Sequence, residues 1–230
     1  MTRLAGRALV ACALVTCISQ ASAGSVMVPD AAGLPLSVRI TSFKERRFLA
    51  TVHQQYDFSC GSAALATLLT YQYQAPVTES EVFREMFEHG DQKKIRREGF
   101  SLLDMKLYLD THGYIADGYR VPLDRLQHAG IPAIALVSEA GYNHFVVIKG
   151  ITQEHVLLGD PAKGTRTTSR SQFEDTWPNH ILFVVHKSTT PSRFNLAADW
   201  DTAPLSPLTA SLNHDGLSQI VMSKFGSGNF

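Results

Sequence analysis

Residues 54–61 read Gln-Gln-Tyr-Asp-Phe-Ser-Cys-Gly, and Ser62-Ala63-Ala64-Leu65-Ala66-Thr67-Leu68-Leu69-Thr70-Tyr71 follow without a break. From Gly61 to Tyr71 the chain is rich in Ala and Leu and apolar almost all round, the pattern of a helix buried on every side. Ser59 stands where an N-cap is expected. Cys60 therefore falls in the first turn of a buried helix. Unpaired backbone N–H groups and the positive end of the helix dipole favour an anion there. The thiolate is the nucleophilic form of cysteine, so the position suits a reactive thiol. A second reading stays open at this point, in which Cys60 packs as a small apolar side chain. Gly61 is expected to let another backbone or a substrate approach closely.

Further elements follow downstream. Thr78-Glu79-Ser80-Glu81 is a capping box that opens a second helix ending near Gly90. Ser101 caps a third, with Leu102, Met105 and Leu109 on one face and Gly113 beyond its end. Pro122 starts a short fourth helix running to about His128. The texture then turns to strands: Ala133 to Ser138, His144 to Ile151, His155 to Leu158 and Ile181 to Val185, with Glu139-Ala140-Gly141-Tyr142 as a turn and Ser171 to Trp177 as a short helix. Helices first and an antiparallel sheet second describe an α+β domain around one core.

Upstream, Gly24 to Leu36 reads as an extended lead-in. Ser37 to Ile40 and Phe48 to Val52 are strand candidates around the charged Lys44-Glu45-Arg46-Arg47, and Gln54 to Phe58 is a loop. Residues 1–23 have the form of a secretory signal peptide. Arg3 and Arg7 form the positive region, Ala8 to Ile18 the apolar run, and Ala21-Ser22-Ala23 the cleavage pattern. The run is shorter than a bilayer span needs. The expected organisation is a signal peptide at 1–23, the lead-in at 24–47, a domain at 48–187 and a low-structure tail at 188–230, whose Ser218 to Lys224 has helical character. The expected location is the periplasm.

The 230 residues carry 21 Lys+Arg and 21 Asp+Glu, with 44% hydrophobic residues, enough for one domain with a proper core. Loss of Arg3 and Arg7 with the leader leaves 19 basic residues against 21 acidic ones. That balance excludes a nucleic-acid partner. Cys12 and Cys17 leave with the leader too, so Cys60 is the lone cysteine of a mature chain in an oxidising compartment. Such a thiol is a buried small hydrophobe, a site of intermolecular pairing, or a reactive group.

A cysteine nucleophile needs a base, and the chain has nine histidines. His89, His112 and His128 sit at helix C-termini, where a cation is favoured. His155, His180, His186 and His214 flank turns or lie in the tail, and His53 precedes the cysteine motif. His144 differs because it opens an apolar strand after Gly141-Tyr142-Asn143. Asp160, in Gly159-Asp160-Pro161, follows one strand connection later. A tight turn near Gln153-Glu154 brings the two strand ends together, so a carboxylate can orient the imidazole. Asp-Pro also starts turns by itself. Acyl transfer further needs oxyanion donors: the Cys60 N–H is one, and Gln54 and Gln55 are equal candidates for the second. With no His-Glu-x-x-His and no paired cysteines, no metal is implied, and the Gly159–Thr165 stretch lacks the form of a phosphate loop, so neither is ATP.

Gln-(five residues)-Cys-Gly opening an Ala/Leu helix, then Asn143-His144-Phe145-Val146-Val147-Ile148 and Gly159-Asp160-Pro161, resembles the C39 peptidase family from about Phe48 to His186. The resemblance implies a papain-like fold, with Gln54 as oxyanion glutamine, Cys60 as nucleophile, His144 as base and Asp160 as third member. The Phe-Ser-Cys-Gly form with a leader is similar to stand-alone periplasmic members rather than transporter domains, which usually carry Asp where Ser59 stands. The implied substrate is an exported peptide or protein, a secreted amyloid subunit among them, with outer-membrane export components as implied partners. Two rival readings share the motifs: an acyltransferase using the same three residues, and a non-catalytic module that holds export substrates unfolded.

Overall fold

The computed structural model describes residues 25–29, 35–39, 41–139, 141–186 and 193–203. The chain forms two units, one ending at Ser42 and one starting at Phe43. The first contains two antiparallel strands, β1 (Ser25–Pro29) and β2 (Pro35–Arg39). The expected strand at Ser37 overlaps β2, whereas part of the expected extended lead-in is the paired strand β1.

The second unit begins with α1 (Phe43–Arg47). The charged Lys44–Arg47 segment is thus helical rather than a connection between strands. Phe48–Val52 is not a strand either, because the Phe48 and Leu49 N–H groups close turns onto the carbonyls of Glu45 and Arg46. The helical half follows: α2 (Cys60–Thr67), continued by a π-helical turn at Leu68–Gln72, then α3 (Glu79–His89), α4 (Gln92–Glu98) and α5 (Leu102–Thr111). The capping boxes at Thr78/Glu81 and Ser101/Asp104 are both formed. Asp91 caps α4, whose only buried residue is Ile95.

The remaining elements are β3 (Ala116–Arg120), α6 (Leu123–Ala129), β4 (Ala133–Glu139), β5 (Tyr142–Ile151), β6 (His155–Asp160), β7 (Gly164–Ser169), α7 (Arg170–Asp175), β8 (Ile181–Val185) and α8 (Ala197–Thr202). Six strands form one antiparallel sheet in the order β3-β8-β4-β5-β6-β7. The fold is α+β and papain-like, as expected. The core is not single, however. Alternation along β5 sends Phe145 and Val147 into a cluster with Ala64, Leu65, Leu68, Met105 and Leu109, and sends Val146 and Ile148 into another with Leu123, Leu126, Phe173 and Trp177.

Every residue of α2 is buried. Its small side chains let it lie close to β5, and Gly61 is the tightest point. A Cβ there would come within 3.0 Å of Phe100 Cβ and 3.1 Å of Met105 Cε. The approach that Gly61 permits is therefore to core side chains, not to a backbone or a substrate.

Residues 193–203 depart from the expected low-structure tail. Phe194 is 3% exposed within the α2 cluster, and the Arg193 N–H donates to Gln72 Oε1 at 2.9 Å. Lys149, itself buried, lies 4.9 Å from the centre of the Phe194 ring. Its ammonium donates to the Ala50 carbonyl at 2.6 Å and to Thr165 Oγ1 at 3.2 Å. Burial pulls its pKa down to about 8, against the upward pull of Asp199. One cation on β5 thus holds the segment before α2, the edge strand β7 and the segment before α8. The helical reading of Ser218–Lys224 lies outside the described residues.

Phe194→Ala should lower unfolding free energy by about 3 kcal/mol, the ordinary cost of emptying a buried aromatic position. Urea denaturation measures it. A loss of only a few tenths of a kcal/mol would mean that this segment contributes little to the core.

Candidate active site

Ser59 occupies the N-cap position of α2, but its side chain does not cap the helix. Its hydroxyl turns back, accepting from the Tyr56 N–H at 3.1 Å and donating to the Tyr56 carbonyl at 3.0 Å. The expected forward cap is replaced by a closed turn over Tyr56–Ser59. The first-turn N–H groups of α2 therefore have no bond to the Ser59 hydroxyl, and Cys60, 6% exposed and unbridged, stands at that end.

Register explains how the sheet delivers a base. His144 on β5 lies opposite Val137 on β4, and Leu158 on β6 lies opposite both Ile148 on β5 and Arg166 on β7. Steps of two along each strand then put Glu139, His144, Asp160 and Arg166 on one face, in adjacent strands. The His144 Nε2 N–H donates to Asp160 Oδ1 at 2.8 Å. With Nε2 committed, Nδ1 is the ring nitrogen left for the Cys60 thiol. Nδ1 is buried without a hydrogen-bond partner, and Cys60 is among the groups that raise the basicity of the ring.

Burial pushes the His144 pKa down, but the Asp160 hydrogen bond and charge and the neighbouring Cys60 outweigh it, raising it to about 9. Burial likewise pushes the Asp160 carboxyl up. The hydrogen bond and charge of His144 and the Arg166 guanidinium prevail, holding it far below the usual carboxylate range.

Asp160 is fully buried and does two jobs. Besides His144, its Oδ1 accepts the N–H groups of Ala162 at 2.9 Å and Lys163 at 3.1 Å. Turn residue and histidine partner, treated as rival readings from sequence, are one carboxylate. Its Oδ2 accepts Arg166 Nε at 2.9 Å, and Arg166 Nη2 donates to Glu139 Oε1 at 2.6 Å. Lys163 closes the network on the other Glu139 oxygen.

The two glutamines are set apart. Gln54 is half-buried, and its N–H donates to the Pro161 carbonyl at 3.0 Å, which ties it to the residue after Asp160. One N–H of its side-chain amide goes to the Tyr56 carbonyl at 3.0 Å, leaving the second free. Gln55 is exposed and turned to Ser80 on α3, 3.0 Å away. A cleft of ≈ 460 Å³ runs past Cys60 between Asp57, Phe58 and Arg96–Gly99 on one side and Gly141–Asn143 on the other. The Tyr142 hydroxyl crosses it to donate to the Asp57 carbonyl.

Sequence reasoning missed Arg166, Glu139 and Tyr142. The polar run Gly164–Ser169 conceals a strand in which residues 165–168 are all buried. The available signal was the turn itself, since a short Asp160–Gly164 reversal puts Arg166 diagonally across from Asp160. Of the other histidines, His53 is exposed, and its ring packs edge-on against Phe48, centroids 4.8 Å apart.

A thiol at the head of a buried helix, beside an imidazole whose far nitrogen is fixed by a carboxylate on an antiparallel sheet, defines the class: a papain-like cysteine peptidase. The Peptidase C39 family matches residues 49–189, and the chain belongs to that family. Among its relatives, the probable functional amyloid protease FapD of Pseudomonas aeruginosa is 44% identical over 147 residues, covering 64% of this chain and 65% of that one. The protein of the same description from Pseudomonas fluorescens is 40% identical over 183 residues, covering 77% of this chain and 76% of that one. In fold, the chain is similar to the peptidase domain of Streptococcus ComA, a bi-functional ABC transporter of a quorum sensing pathway. That likeness has a TM-score of 0.50 at 18% identity, over 62% of this chain and 98% of that one.

The raised His144 pKa has a signed consequence. The folded chain holds a proton that the unfolded one releases above about 6.5, so this stabilisation is complete below that value and fades as pH rises through about 9. The stability difference between the wild type and His144→Gln should therefore shrink between pH 6.5 and 9.5. Urea titrations across that range test it, and a constant or widening difference would contradict the ion pair.

Proposed function

We propose that this cysteine peptidase acts in the periplasm as a thiol endopeptidase, cleaving an exported peptide or an amyloid-type protein with Cys60, His144 and Asp160. The observation that carries the reading is the division of labour on the His144 ring, with Nε2 fixed on Asp160 and Nδ1 left for the thiol. The leader-like residues 1–23 and the likeness to two proteins described as probable functional amyloid proteases support the compartment and the substrate class.

In this reading Cys60 Sγ attacks the scissile carbonyl as a thiolate, and the C–N bond breaks as the protonated Nδ1 of His144 passes its proton to the leaving amine. The Cys60 N–H and the free N–H of the Gln54 amide hold the oxyanion. Asp160 keeps the ring in the tautomer and orientation that place Nδ1 toward sulfur. Water, deprotonated by His144, then hydrolyses the thioester and restores the thiol pair.

The test is proteolysis of a secreted amyloid subunit, with products identified by mass spectrometry. Cys60→Ala should abolish cleavage, and His144→Ala should lower kcat at least about 100-fold. Gln54→Ala should lower it by about 100-fold as an oxyanion donor is lost, while Gln55→Ala should stay near the wild type. The reverse ranking would move the oxyanion assignment by one residue. Conjugated rather than hydrolysed products would indicate acyl transfer, and undiminished turnover by Cys60→Ala would remove the nucleophile.

A further inference from the structure

We infer that Arg166 is a positioning residue for the catalytic pair, holding the Asp160 carboxylate ionised and turned so that one oxygen faces His144. The inference rests on the reading of Asp160 as the group that orients His144. Arg166 is 8% exposed, and its guanidinium spans two carboxylates: Nε to Asp160 Oδ2 at 2.9 Å, and Nη2 to Glu139 Oε1 at 2.6 Å.

A carboxylate buried this deeply must have each oxygen matched by a donor. Oδ1 already receives His144 Nε2 and two backbone N–H groups, whereas Oδ2 has Arg166. Without that donor, the carboxylate is held through Oδ1 alone, by the turn N–H groups and by His144 itself, the ring it is meant to orient. The planar fork of arginine is suited to the task because it fixes an orientation as well as a charge. Glu139, from three strands away, fixes the fork in turn, and Lys163 holds Glu139.

The charged groups around Asp160 are therefore His144 from β5, Arg166 from β7, Lys163 from the turn, Glu139 from β4 and, through His144, Cys60 from α2. They alternate in sign from Glu139 to Arg166 to Asp160 to His144. Arg166 is not among the residues that line the cleft. Its effect should appear in the rate of the chemical step and not in substrate affinity.

The experiment compares kcat, KM and the pH profile of peptide hydrolysis for the full chain, Arg166→Gln, Arg166→Lys, Asp160→Asn and the Arg166→Gln/Asp160→Asn double variant. Arg166→Gln should lower kcat by about 10- to 100-fold with KM unchanged, the range expected of a misplaced catalytic group. The acid limb of its kcat profile should move up by about one pH unit, since a cation beside Asp160 is lost. In the Asp160→Asn background the same change should cost less than about threefold, because the group it positions is gone. Arg166→Lys retains a cation for folding but cannot span both carboxylates. It should lose kcat several-fold with its acid limb near that of the wild type, and it serves if the glutamine variant does not fold. Native kcat in either folded variant, or an undiminished loss in the Asp160→Asn background, overturns the inference. Asp160→Asn with native kcat would instead sink the triad reading itself, a result separable from a failure at Arg166 alone.

Discussion

A carboxylate with no exposed surface has to be surrounded by donors or expelled, and Asp160 is the constraint to which the rest of this sheet answers. Its 2.8 Å bond to His144 requires that β5 and β6 be neighbours in one register, and its bond to Arg166 requires the same of β6 and β7. A slip of one residue on either side would turn one of its two charged partners to the opposite face. The positions of His144 and of the turn after Asp160 are thus fixed by electrostatics as well as by apolar packing. Isolated ion pairs inside proteins are poor sources of stability. This one is better understood as a device for register.

The parts of the fold legible in the sequence are those where one physical signal dominates. Apolar residues on all sides identified α2, caps located α3 and α5, and apolar runs located β4, β5, β6 and β8. What escaped notice is polar and nonetheless structured. β7 reads Gly-Thr-Arg-Thr-Thr-Ser, and its burial is made possible by partners distant in sequence, such as Thr51 on Thr165 at 2.8 Å and Asp160 on Arg166. No local pattern announces such pairs. The same holds for α4, which has a single apolar anchor, and for residues 193–203, which hang on Phe194 and a buried lysine.

At the candidate site, Cys60, His144 and Asp160 could be singled out in the sequence because chemistry restricts which residue types suit such a constellation, and the fold brings His144 and Asp160 into a 2.8 Å hydrogen bond. The choice between Gln54 and Gln55 was not legible from spacing. The backbone path over the loop sets the two residues apart: the Gln54 backbone N–H binds the Pro161 carbonyl and its side-chain amide the Tyr56 carbonyl, whereas the Gln55 amide turns to Ser80 on α3. The Ser59 cap was misjudged for a related reason. A serine hydroxyl at an N-cap has a choice between the helix ahead and the turn behind, and here the turn has it.

Gly61 packs against Phe100, Met105 and Phe145, side chains drawn from both the helical half and the sheet. The seat of the thiol is therefore assembled from segments distant in sequence, contacts of the kind whose closure slows folding. Until β5 docks beneath α2, Cys60 has neither its packing nor an imidazole. A newly made chain in that state carries a thiol with no imidazole beside it, so the pairing of Cys60 with His144 is a property of the assembled sheet and not of either segment alone.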